Sequence, residues 1–61
     1  MKKLWFIIAE FENGSEIVDE FDSREEAKKM QHEYAIAFRG TVVRAPTQNP
    51  SNNLLADWYG A

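Results

Sequence analysis

The sequence predicts a small α+β domain: a ββαβ arrangement whose three-stranded antiparallel sheet, order 2-1-3, carries one helix on one face and ends in a short apolar C-terminal segment. Three observations point to it. The run Leu4 to Phe11 is apolar on both alternating faces, Asn13-Gly14 separates two apolar-patterned runs, and Ser23-Arg24-Glu25-Glu26 has the spacing of a helix cap. The expected organisation is a ββαβ core over residues 1–45, a polar flexible loop over 46–53 and a short apolar segment over 54–61.

The first strand sets the problem that the rest of the chain must solve. Trp5, Ile7, Ala9 and Phe11 point to one side, and Leu4, Phe6 and Ile8 to the other. A strand apolar on both faces belongs in the middle of a sheet that is covered twice. The second strand, Glu16 to Phe21, follows across Asn13-Gly14, and two registers compete. A two-residue turn pairing Glu12 with Ser15 places Ile17 and Phe21 beside Phe6 and Ile8. A three-residue loop pairing Phe11 with Ser15, with Gly14 left-handed, places them on the Trp5 face. The second is preferred, because it gathers six large or apolar side chains on one side. Either way Glu16, Asp19 and Glu20 suit an edge strand, where charge discourages further pairing.

The helix starts at a capping box, with Ser23 as cap and Glu26 three positions on. Glu25 and Glu26 in its first turn and Arg39 at its end favour the helix dipole. Ala27, Met30, Tyr34, Ala37 and Phe38 define the core-facing stripe, and Gly40 stops the helix. From Arg24 to Phe38 it spans roughly 22 Å, enough to cover one sheet face. His32 and Ile36 lie off that stripe. Thr41 to Ala45 reads as a short third strand closed by Pro46, brought beside the first strand by the crossover. The segment Pro46 to Asn53 is polar and turn-forming, and extended it reaches about 27 Å. Leu54, Leu55, Trp58 and Tyr59 then share one side of a short helix for which Asn53 is the expected cap, and they are expected to fold back over Leu4, Phe6 and Ile8 as the second cover, on the same chain or, by a swap, on a second copy.

Length limits what such a chain can do alone. At 61 residues it forms one domain that buries only about 60 % of its unfolded surface. Natural domains of this size commonly need a disulfide, a metal or a second copy. The chain has no cysteine and a single histidine, so a partner or a second copy is the expected staple. The apolar run after Met1-Lys2-Lys3 is shorter than the usual secretory run, about 7 to 15 residues, and nothing approaches the roughly 20 apolar residues of a membrane span. A cytoplasmic protein with no membrane association and no cofactor is expected.

Charge is distributed unevenly. Between Glu10 and Glu26 stand eight acidic residues and one basic, Arg24, while the whole chain carries a net charge of −3. Glu10, Glu12, Glu16, Asp19 and Glu20 thus form a candidate acidic patch for a basic partner, one that imitates rows of nucleic-acid phosphates. The plainer reading, a solvated edge strand followed by an acidic helix start, is preferred. Direct nucleic-acid binding is unlikely in the sense that phosphate contact needs clustered cations, and Lys28, Lys29, Arg39 and Arg44 are few beside the acids.

Catalysis has little to stand on. His32 lacks a nucleophile motif or a second histidine, and the carboxylate pairs, Glu10 with Glu16 and Asp19 with Glu20, are expected in water. Gly14, Gly40 and Gly60 are isolated, which excludes a glycine-rich phosphate loop. The sequence therefore reads as a non-enzymatic protein–protein interaction module. Its contact residues are Leu4, Phe6, Ile8, Leu54, Leu55, Trp58 and Tyr59, self-associating as a homodimer through the second sheet face or the C-terminal segment. The alternative is a small acidic accessory protein that blocks a nucleic-acid-binding protein, and a weaker one is a nucleic-acid-binding domain.

Overall fold

The computed structural model describes residues 3–60, so Met1, Lys2 and Ala61, which the expected segments 1–45 and 54–61 include, lie outside the described residues. The elements are β1 (Trp5–Phe11), β2 (Gly14–Phe21), α1 (Arg24–Ala37), β3 (Val42–Val43) and α2 (Asn52–Tyr59). The strands form one sheet of order β2-β1-β3, and both pairings are antiparallel. The two-faced strand is central, as its pattern requires.

Next to the turn the hairpin register differs from both expected alternatives, whereas beyond a bulge it is the one expected from pairing Phe11 with Ser15. Phe11 pairs with Gly14 across a two-residue turn made of Glu12 and Asn13, and the register runs on to Ile8 opposite Ile17. It then shifts by one, so that Ile7 faces Asp19, Phe6 faces Glu20 and Trp5 faces Phe21. Val18 is the extra residue of a β-bulge. The bulge resolves the competition between registers: Ile17 reaches the Phe6–Ile8 side, while Phe21 reaches the Trp5 side. A single register serves only one face, because a one-residue slip moves every side chain across the sheet. Gly14 takes φ 135°, and no other residue of the hairpin has positive φ. The tight turn therefore depends on a conformation that side chains disfavour.

α1 covers the Trp5–Ile7–Ala9–Phe11 side. Ser23 Oγ accepts from the Glu26 amide at 3.1 Å, which is the expected cap. Ala27 faces inward and is fully buried, as are Ile7 and Ala9; two alanines at the contact let helix and sheet approach closely. Phe38 closes one end, stacked on Tyr34 and edge-on to Phe11. At the other end the Arg24 guanidinium lies over the Trp5 ring. Two helix expectations need correction. Ala37 is exposed, not part of the buried stripe, and the helix ends at a Phe38 cap, leaving Arg39 outside its last turn.

β3 is shorter than Thr41 to Ala45, yet the chain stays beside β1 well past it. The Arg44 amide donates to the Ile8 carbonyl at 2.9 Å, and Thr47 and Phe6 exchange both backbone bonds at 2.8 and 3.0 Å. Pro46 has no donor, so the ladder skips a residue and resumes at Thr47. The polar segment 46–53 is thus tied to the sheet at Thr47. Its end already belongs to α2, whose cap is Ser51, not Asn53: Ser51 Oγ accepts from the Leu54 amide at 3.3 Å.

Candidate functional site

The second sheet face is covered by the chain's own C-terminus. Phe6, Ile8 and Ile17 form a buried cluster, and Leu4, Leu54, Leu55 and Trp58 pack against it. Of the contact residues expected from the sequence, six therefore come together, while Tyr59 stays apart at 59 % exposed. Ile17 is the member that sequence reasoning placed on the other face. The signal for it was the conflict between the two hairpin registers, which a bulge removes.

α2 sits incompletely seated. It brings Leu54, Leu55 and Trp58 to the sheet and buries none of them fully. A polar anchor is the Trp58 indole, which donates from Nε1 to Glu20 Oε1 at 2.6 Å. Glu20 also lies near Tyr59, whose phenol is raised above its ordinary pKa first by desolvation and then by the charge and acceptor oxygens of Glu20. From Ser51 to Gly60 the sole charged residue is Asp57.

The acidic residues do not converge on one surface. Asp19 lies on the α1 side, where its Oδ2 accepts from the Tyr34 hydroxyl at 2.6 Å and its Oδ1 from the Glu20 amide at 2.8 Å. That carboxylate pushes the Tyr34 phenol up to about 12 by its hydrogen bond, with desolvation and its negative charge adding to the shift. Glu20 lies on the α2 side with Trp58. Glu10 meets Arg44 at 3.6 Å, Glu12 is in the turn, and Glu16 is opposite Ala9 on the α1 side. Alternation along a strand sends neighbouring acids to opposite faces.

α2 leaves one end of the second face open. Eight residues of helix reach about 12 Å, whereas seven residues of β1 extend about 23 Å. Beyond the first turn of α2 lies a groove of about 490 Å³, floored by Ile8 and Leu54 and edged by Ser15, Arg44, Thr47 and Asn49. Val42, opposite Glu10 on the same face, is 61 % exposed there. Thr47 was not legible as a site residue, because Pro46 reads as the end of all sheet pairing, and Arg44 read only as one of a few scattered cations.

The outer edge of β3 is partly closed. Strand alternation turns the Val43 carbonyl away from β1, and Gln31 Nε2 donates to it from α1 at 3.3 Å. His32 is exposed on α1, and among the described residues no group of three or more His, Cys, Asp or Glu is placed to hold a metal. No described helix is long and apolar enough to cross a membrane. The chain matches no family model, no characterised protein and no solved structure.

Proposed function

We propose that this protein is a non-enzymatic interaction module that pairs with a second copy of itself through the exposed side of α2. The observation that carries the reading is the character of α2. Its Leu54, Leu55 and Trp58 pack inward yet are only partly covered, its Tyr59 is 59 % exposed, and its one charge is Asp57. Aromatic enrichment with few charges marks the core of protein interfaces. A two-fold contact needs one self-complementary patch, and a short, nearly uncharged helix meets that need without like-charge repulsion. Pairing there also adds apolar burial to a chain whose buried core, among the described residues, is six side chains, Phe6, Ile7, Ile8, Ala9, Ile17 and Ala27.

The acidic-decoy alternative draws less support, since Glu10, Asp19 and Glu20 of its five carboxylates are engaged within the chain. The test is solution mass by light scattering across a dilution series, for the native chain and for Tyr59→Glu. A dimer in the native chain that Tyr59→Glu converts to a folded monomer supports the reading. A native chain that stays monomeric up to about 1 mM sinks it.

A further inference from the structure

We propose that the groove between the hairpin base and the Arg44–Leu54 segment is a binding site for a carboxylate carried on a short apolar body, the chemistry of a peptide C-terminus ending in an aliphatic residue. The inference is independent of self-association through α2, because the groove opens beside the first turn of that helix and not on its outer side.

Three features of the groove select this ligand. Its volume of about 490 Å³ falls within the range of small-ligand sites, about 300–1,000 Å³. Two apolar side chains, Leu54 and the largely covered Ile8, line it beside Ser15, Thr47, Asn49 and Ser51. Its lining contains one cation, Arg44, and no acid, although the chain holds ten acidic residues. A carboxylate in this groove therefore meets a guanidinium and hydroxyl or amide donors, and the one acid that contends with it for Arg44 is Glu10, which stands beside the lining.

Glu10 shows what Arg44 is shaped to hold. Its Oε2 stands 3.6 Å from Arg44 Nε, longer than a hydrogen bond, and both side chains are about half exposed, at 44 % and 57 %. A pair this loose contributes little to stability. It leaves the guanidinium able to take a second carboxylate in the two-pronged geometry that arginine favours. Glu10 is then a competitor that the ligand displaces. The backbone of the groove wall is held in place without a ligand, since Arg44 and Thr47 are hydrogen-bonded to Ile8 and Phe6. Affinity does not have to offset the cost of ordering that wall.

The experiment is a titration of the full chain, followed by amide chemical shifts, with N-acetyl-leucine and with its neutral amide, N-acetyl-leucinamide. Binding in the millimolar range is expected for so small a probe. The acid should move the amides of Arg44, Thr47, Asn49, Ser51 and Asn53 in a saturable way, and the neutral amide should bind at least about tenfold more weakly. Arg44→Gln, at an exposed position, should abolish that preference, and Glu10→Gln should tighten binding of the acid severalfold by removing the competitor. Equal binding of acid and amide, shifts centred elsewhere on the chain, or no saturation by about 50 mM each overturns the proposal. A weaker acid affinity in Glu10→Gln also counts against it.

Discussion

Trp58 donates its indole N–H to Glu20 at 2.6 Å, joining residues 38 positions apart and tying the last helix to the edge of the sheet. The next residue back, Asp19, points to the other face and accepts from Tyr34 of α1. Two adjacent acids of an edge strand thus hold one helix each, on opposite sides. Edge charge that discourages strand addition here also positions both covering layers.

Trp58→Phe keeps a ring over Phe6, Ile8 and Ile17 but removes the donor to Glu20, and is expected to cost about 1–2 kcal/mol. Trp58→Ala also uncovers that cluster and should cost about 3 kcal/mol or more. Urea unfolding followed by circular dichroism measures both. Dye binding to exposed apolar surface should rise in the alanine variant and not in the phenylalanine one.

Tyr34 should make stability fall at alkaline pH. Its phenol is raised from 10.0 to about 12 in the folded chain, so the stabilisation is fully present below pH 10. It is lost as pH rises from about 10 through 12, where the unfolded chain releases the proton more readily. Tyr34→Phe should flatten this part of the stability profile and cost about 1 kcal/mol at neutral pH, since it leaves Asp19 Oδ2 without that donor. A retained alkaline slope in the variant would show that another group sets it.

Ile7 is fully buried beneath α1. Ile7→Val should cost about 1 kcal/mol, and Ile7→Ala about 2–5 kcal/mol, enough to unfold most of a domain with so small a core. Thermal melts of the two variants decide between a well-packed site and a yielding one. Near-equal midpoints would mean that the helix settles into the space left behind.

Gly14→Ala tests the hairpin. A side chain added there meets no atom within 4 Å, so its cost is backbone strain at φ 135° and not a clash. A loss of about 1–3 kcal/mol is expected. Loss of the cap in Ser23→Ala should cost about 1 kcal/mol, read in the same unfolding experiment. A Gly14→Ala variant as stable as the native chain would mean that the turn relaxes to another conformation.

Much of the architecture was legible because local chemistry and global packing agree. Leu4 to Phe11 demanded a central strand, and it is central; Ser23 and Glu26 announced the helix start, and it begins at Arg24. Short-range signals of this kind need only neighbours in sequence. The bulge at Val18 was not legible, since neither register on its own could satisfy Ile17 and Phe21 together. Thr47 was hidden by Pro46, because a missing donor looks like the end of a strand when it is only a skipped rung.

By itself the sequence determined the element order, the centrality of β1 and the need for two covers, since these follow from alternation, turn chemistry and caps within a few residues. Tertiary structure alone decided which side each acid serves, that α2 covers the face of its own chain, and that the cover falls short beside Arg44. Those outcomes depend on contacts between residues tens of positions apart, and on whether an eight-residue helix is long enough to span the face it meets.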